Sequence, residues 1–407
     1  MVAGSNPVEP IFIIMRFIHV GDTHIGAVYK NEQRNEDIKE VFRQIIDGAI
    51  ANNVDFIVHS GDLFNEGTPS LSALLFVTDQ LNRLKQNGIR MFIVPGSHDV
   101  GMGEEHSILE LFDRNGLLTN LNSKRYTKDG EEGFQLKGET YKNTFICGIK
   151  GKRSKVEDEI FKRLKIDIDE SAWVKIFIFH HTISYLGEKF KDLDTESLPR
   201  GFDYYAAGHW HGNMDNIPYD KGIVQYPGSS EYCDEKEIVD NPNRGYYIIT
   251  YERDGIAGVE RVILKTRQKE IVEISADGKT PLELEKSIMS RLNPNDGKIL
   301  VIKIHGKLIG KKGELGLVDI KNKAGAIGYS YISINTSKLA DNEQKEIEIE
   351  SKDLNDIENE FLTRKGYGQE QIKIARYIIS SVESKEDTEI MRTEIERMFD
   401  EYDNKRD

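Results

Sequence analysis

From Arg16 to about Ile178, short apolar runs alternate with stretches whose apolar positions recur every three or four residues, the pattern of strands separated by helices. Phe17 to Val20, Phe56 to Val58, Met91 to Val94 and Val174 to Phe179 predict buried strands. Between them, Ile38, Val41, Phe42, Ile45, Ile46 and Ala49 line one face of a helix over Asp37 to Ala51, Ser70 to Leu84 predicts a second helix, and Ser107 to Phe112 a short third. This alternation argues for an α/β fold, a layered-sheet domain rather than an all-β sandwich. The strand-like runs Tyr204 to Ala207, Gly222 to Tyr226, Tyr246 to Tyr251 and Val259 to Leu264 continue the same domain, which then spans 15–265.

The rhythm changes after Gln268. Ile271 to Ile274, Leu282 to Leu292, Ile299 to Ile304 and Tyr329 to Ile334 read as strand, helix, strand and strand, a small α+β domain over 266–338. Residues 339–366 are polar and acidic and read as a linker. Beyond it, 367–407 reads as a helix pair: Ile372, Ala375, Ile378, Ile379 and Val382 line one helix, and Met391, Ile395, Met398, Phe399 and Tyr402 the other, with Ser384 to Asp387 as the turn. So short a segment cannot easily bury two apolar stripes alone, which predicts docking on helices of another chain. At the other end, residues 1–14 lack the basic start and cleavage site of a secretory signal, and Met15 opens the first strand, so they read as an extension or alternative start.

Charge alters this picture in one respect. Across 407 residues, 55 Lys and Arg face 69 Asp and Glu, a net charge of −14 that taken whole argues against nucleic acid. However, residues 341–407 hold 20 acidic and 11 basic side chains, leaving the rest at −5. Acidity thus marks the tail, and the body is near balance. No apolar run approaches the roughly 18 residues that span a bilayer, so no membrane segment is expected. The two cysteines, Cys147 and Cys233, lack metal-type spacing, which predicts neither a disulfide framework nor a thiolate metal site and suits a reducing, cytoplasmic location.

The candidate chemistry lies in five short motifs, each just after a predicted strand: Asp22-Thr23-His24, Gly61-Asp62-Leu63-Phe64, Gly96-Ser97-His98-Asp99, His180-His181 and Gly208-His209-Trp210-His211. Ligands of open α/β sheets bind beyond the carboxyl ends of the strands, so these loops can converge despite their separation in sequence. Imidazole and carboxylate together suit Mn²⁺, Fe²⁺ or Zn²⁺, and one carboxylate can bridge two ions. By contrast His19 and His59, inside or at the edge of strands, are expected to be buried and hydrogen-bonded. His181 reads either as a spare ligand or as support beside His180.

These blocks, followed by Tyr226-Pro227-Gly228-Ser229-Ser230-Glu231, resemble the calcineurin-like metallophosphoesterases, and within them the nuclease subunit of double-strand-break repair, the meiotic recombination 11 family with its bacterial SbcD relatives. The resemblance implies a metallophosphoesterase nuclease domain, a small capping domain and a C-terminal helical segment. It implies that Asp22, His24, Asp62 and His211 hold one metal, and Asp62, Ser97, His180 and His209 the other, with two Mn²⁺ per subunit or other divalent transition metals. His98 would be catalytic, with Asp99 as its possible orienter. The chain departs from the family at Ser97, where Asn is usual; a Ser hydroxyl is a shorter and weaker donor, so the second metal is expected to bind loosely. Asn65-Glu66-Gly67 after the second block disfavours the phosphoprotein phosphatase branch.

The function implied is Mn²⁺-dependent phosphodiester hydrolysis, exonucleolytic on DNA ends and endonucleolytic on single strands, in partnership with a coiled-coil repair ATPase held by the C-terminal helices. Leu71, Leu74, Leu75 and Val77 are candidates for a homodimer interface, with core packing as the competing reading. Lys150 to Arg153 with Lys155, and Lys303, Lys307, Lys311 and Lys312, read equally as phosphate contacts or as solvated surface. Two other functions fit the same residues: a mainly architectural DNA-end-binding subunit with weak hydrolysis, and a small-molecule phosphodiesterase.

Overall fold

The computed structural model describes residues 14–27, 32–101, 106–121, 123–128, 131–136, 138–151, 157–240, 243–341, 368, 371–374, 376–378 and 388–403. Residues 1–13, Lys152, Arg153 and Lys155 of the basic segment, and nearly all of the acidic linker lie outside them. Contacts divide the chain into two units, Met1–Asn342 and Glu343–Asp407.

The first unit is built on two six-stranded sheets. One orders its strands Gly255–Ile263, Gly245–Glu252, Met15–Val20, Phe56–His59, Arg90–Ile93 and Thr119–Asn120. The other orders Met214–Tyr219, Gly222–Tyr226, Tyr204–Gly208, Val174–His180, Thr144–Ile149 and Glu139–Tyr141. Side chains alternate across a strand, so each sheet feeds two cores. Phe17, Phe56, Val58, Phe92, Ile146, Ile176, Ile178, Tyr204 and Ile249 fill the layer between the sheets. Ile18, Ile57, Met91 and Ile93 point the other way, onto the helices Glu32–Ala51, Leu71–Gln86 and Leu109–Arg114. The α/β layering follows the expected order, but the strands are divided between two facing sheets, and the carboxyl-end crevice runs across both.

The four Leu71–Gln86 positions of interest differ in their surroundings. Leu71 is 71% and Leu75 57% exposed, whereas Val77 is fully buried in the core and Leu74 packs against it. Val77 is therefore removed from the candidate dimer face: at i+2 from Leu75 it points inward.

Residues 269–341 form a separate three-stranded parallel sheet, Lys269–Ser275, Ile299–Leu308 and Tyr331–Asp341, covered by the helices Pro281–Met289 and Leu317–Ala326 around Val272, Ile274, Leu284, Ile288, Ile302 and Ile320. Thr280 starts the first helix with a capping box to Glu283. In the second unit, Thr388–Asp403 is helical, with Met398 buried. Ile372 and Ile374 are buried while Ile378 is 37% exposed, so the stripe predicted around Ile378 does not all face inward. No helix among the described residues is long and apolar enough to cross a membrane.

A buried ionic network ties these parts of the first unit together. Arg34 Nη1 donates to Asp37 Oδ2 at 2.6 Å, and its Nη2 donates to Glu231 Oε1 at 2.9 Å and the Tyr232 carbonyl at 3.1 Å. Arg267 Nε adds a bond to Asp37 Oδ1 at 2.9 Å, and its Nη1 donates to the Gly297 carbonyl at 2.9 Å. Breaking a buried pair strands the remaining charge, at a cost of about 3–5 kcal/mol. Arg34→Ala is therefore expected to lower unfolding stability on that scale in a urea titration; a loss below about 1 kcal/mol, the value of an exposed pair, would contradict the account.

Candidate metal centre

The strands Met15–Val20, Phe56–His59 and Arg90–Ile93 run parallel in one sheet, and Val174–His180 runs parallel to Tyr204–Gly208 in the other. All five predicted motifs thus leave strand carboxyl ends on the same side. A bridge between Gly21 and Ser229 and another between Ile25 and Phe64 lace the loops together. Asp22, His24, Asp62 and His209 have φ of 49°, 46°, 55° and 79°, the left-handed region that non-glycine residues seldom occupy. Strain of this kind persists only where surrounding bonds hold it, and it gathers at functional sites. The close approach has a sequence requirement as well: a Cβ on Gly96 would lie 2.1 Å from Asp62 Oδ1.

The side chains converge on Asp62. His180 Nε2 is 3.1 Å from Asp62 Oδ2, without the angle of a hydrogen bond, and 4.0 Å from Asp22 Oδ1. His24 Nε2 is 3.9 Å from Asp62 Oδ2 and 3.2 Å from His211 Nε2, which in turn is 3.9 Å from Asp22 Oδ1. Donor atoms of Asp62, His180 and His209 lie within 4.8 Å of one another, as do those of His24, Asp62 and His98. The expected Asp and His residues are therefore brought together around one shared carboxylate. Ser97 Oγ is buried in the neighbouring loop with no hydrogen-bond partner among the described residues.

Imidazoles bind metal through a free lone pair, and the bond made by the other ring nitrogen decides which atom offers it. His180 Nδ1 donates to the Ser60 carbonyl at 2.8 Å, His211 Nδ1 to Glu237 Oε1 at 2.7 Å, and His98 Nδ1 to the Asn65 carbonyl at 2.7 Å. Each ring thereby keeps Nε2 for the site. Ser60, Asn65 and Glu237 were not foreseen from the sequence. Asp99 does not orient His98; its carboxylate accepts from the backbone N–H groups of Leu63, Phe64 and Gly96 at 3.2, 2.9 and 2.9 Å, clamping the Asp62 loop to the His98 loop. His181 is buried, its ring edge-on to Phe161 with centroids 5.2 Å apart, and it belongs to none of the donor clusters. His59 Nε2 meets Thr23 Oγ1 at 3.1 Å and His19 Nδ1 meets Tyr204 Oη at 2.8 Å, the buried, hydrogen-bonded state expected of both.

Electrostatics match a cation-binding cradle. Burial pushes His24 down to about 3 and His209 to about 4, so both rings are neutral and ligand-ready. Burial also opposes the charge on His180, yet Asp62 and Asp22 outweigh it and hold the ring up at about 9. In this carboxylate field a proton on His180 supplies the positive charge that a cation brings. Burial likewise raises Asp22 against the pull of His180 and His211. Two carboxylates and four imidazoles, of which His180 and His211 have Nε2 fixed toward the site by their Nδ1 bonds, form a donor set that fits divalent transition metals.

The fold also brings a residue to the site that its place in the sequence did not mark. Cys233, set aside for lack of spacing, has its Sγ within 4.8 Å of donor atoms of both His24 and His211. Its backbone N–H donates to Glu237 Oε2 at 2.9 Å, so the carboxylate that holds His211 also fixes the turn carrying the thiol. Linear spacing could not reveal this, because the contact is made by the tertiary fold.

Residues 15–213 match the calcineurin-like phosphoesterase family. Over 400 residues, 93% of this chain and 98% of the relative, the sequence is 26% identical to the DNA double-strand break repair protein Mre11 of Sulfolobus acidocaldarius. The Mre11 of Saccharolobus solfataricus is 26% identical over 92% of this chain and 96% of its own. That of Methanocaldococcus jannaschii is 29% identical over 65% and 70%.

Proposed function

We propose that this chain, a metal-dependent phosphodiesterase by its calcineurin-like metallophosphoesterase domain over residues 15–213, is a DNA nuclease of double-strand-break repair. The observation that carries the reading is the pair of donor clusters meeting at Asp62, together with the likeness to Mre11 proteins along nearly the whole chain. In this reading Asp22, His24, Asp62 and His211 hold one Mn²⁺, and Asp62, His180 and His209 the other, with Ser97 beside it. The bound pair would polarise the phosphoryl oxygens and lower the pKa of the attacking water. Asp62 positions both halves of the site, and its Oδ1 accepts the His98 backbone N–H at 2.7 Å. The Nδ1–H bond of His98 leaves Nε2 for the site, and the ring in its imidazolium form would hand the Nε2 proton to the leaving oxygen. Asp99 keeps the two loops in register.

The proposed substrates are DNA ends and single strands. The C-terminal segment, including the helix Thr388–Asp403, would bind a coiled-coil ATPase, and the exposed Leu71 and Leu75, one helical turn apart, would meet a second copy of the chain. Linear duplex, single-stranded DNA and a chromogenic phosphodiester offered with Mn²⁺ separate the substrate classes. Degradation of both DNAs supports the reading. Turnover of the chromogenic ester with both DNAs intact would replace it with a small-molecule phosphodiesterase.

The unpartnered Ser97 Oγ supports a second reading, a subunit whose second cation is weakly held and whose role is mainly architectural. Ser97→Asn extends a carbonyl toward that position. Its Mn²⁺ affinity is expected to rise roughly tenfold, the scale on which a supporting contact acts at metal sites. Calorimetric titration checks this, and unchanged affinity would show that Ser97 does not limit the site.

A further inference from the structure

We infer that Cys233 is an additional ligand of the cation position lined by His24 and His211, giving it a face of two imidazoles and one thiolate that takes a thiophilic divalent cation of the Zn²⁺ class. The inference rests on the proposed metal centre and adds a donor to it, one with which this position would hold a Zn²⁺-class ion more tightly than the Mn²⁺ of that reading. Three candidate donor atoms, one each from His24, His211 and Cys233, lie within 4.8 Å of one another. His24 is 3% exposed, its Nδ1 has no hydrogen-bond partner among the described residues, and its Nε2 faces His211 Nε2 at 3.2 Å. At that separation one ring can donate N–H···N to the other, and a cation bound between them would replace that shared proton.

The thiol is a built part of this wall. Glu237 Oε1 accepts from His211 Nδ1 while its Oε2 accepts from the Cys233 backbone N–H at 2.9 Å, from Ser229 Oγ at 3.1 Å and from Arg244 Nη2 at 2.6 Å. One carboxylate thus sets both the imidazole and the turn bearing the sulfur. The thiol donates a long bond, 3.6 Å, to the Glu231 carbonyl and also interacts with the His211 side chain, the contact that a cation between sulfur and ring would replace. Thiolate with imidazole favours Zn²⁺ and Co²⁺ over Mg²⁺ or Mn²⁺, so this position should discriminate where an all-imidazole and carboxylate site does not. On binding, the S–H bond is broken, the thiolate binds the cation, and the proton passes to water.

Co²⁺ titration of the full chain is the test, since a sulfur–Co²⁺ bond gives a charge-transfer absorption that nitrogen and oxygen donors do not. The native protein is expected to show that band and Cys233→Ser to lose it while still binding Co²⁺, with Zn²⁺ affinity lowered at least about tenfold. In the native protein alone, iodoacetamide labelling of Cys233, read by peptide mass, should slow about tenfold with Zn²⁺ but not with Mg²⁺. Cys147, 0% exposed, is the internal control. Co²⁺ binding without the band, or labelling unaffected by Zn²⁺, would overturn the role of Cys233 and leave the metal centre standing. Failure of the native protein to bind Co²⁺ at all would overturn both.

Discussion

Asp62→Asn is expected to lower phosphodiester hydrolysis by about 10³-fold or more and to reduce the number of cations bound. Its carboxylate is the common member of the two clusters, 3.1 Å from His180 Nε2 and 3.9 Å from His24 Nε2, and the asparagine keeps its shape while removing its charge. Transition-state stabilisation by metal ions amounts to several kcal/mol, and each 1.36 kcal/mol is tenfold in rate. The fold should survive, because Oδ1 of an asparagine can still accept the His98 N–H and the backbone keeps its left-handed turn, which Asn tolerates well. Cleavage of linear DNA with Mn²⁺, measured beside calorimetric stoichiometry, decides the matter. Full activity with unchanged stoichiometry would show that Asp62 is not the shared ligand.

The parts of this site that could be read in the sequence are those whose chemistry resides in side-chain type. Asp22, His24, Asp62, His98, His180, His209 and His211 stand at strand ends, where residue identity and local pattern coincide. The acceptors that aim the histidines are different. Two are the carbonyls of Ser60 and Asn65, which any residue could supply, so no residue type marks them. The third, Glu237, lies in the six-residue helix Glu235–Asp240, too short for apolar periodicity, and Ile238 is its one buried position. Asp99 was visible as a carboxylate beside His98, but adjacency in sequence pointed to the wrong neighbour; its three backbone bonds are settled by how two loops stack. Similar reasons apply to the fold. The alternating strands and helices of residues 16–112 were legible, whereas the strand Thr144–Ile149, one in from the edge of its sheet, has a short apolar run that Gly148 interrupts. The helix Leu317–Ala326 buries only Ile320 and Ala324, too few for a stripe.

His98→Ala is expected to cost about 10²–10⁴-fold in cleavage rate, the contribution of a positioned acid, while cation affinity stays within a few-fold of native. Its Nδ1 is committed to the Asn65 carbonyl at 2.7 Å, so only Nε2 is free to move a proton. The backbone N–H to Asp62 is retained in the alanine variant, and Asp62 therefore keeps its place. The opposite assignment has real geometry behind it: the His24 and His98 rings are edge to face with centroids 4.9 Å apart, and a donor atom of His98 lies within 4.8 Å of His24 and Asp62. Calorimetry on the variant separates the two roles, because a ligand carries cation binding and a proton donor does not. A fall in both rate and affinity would move His98 into the coordination shell, and the leaving oxygen would then need another proton donor. A fall in rate alone fixes His98 as the acid, held to its task by a backbone carbonyl rather than by a neighbouring carboxylate.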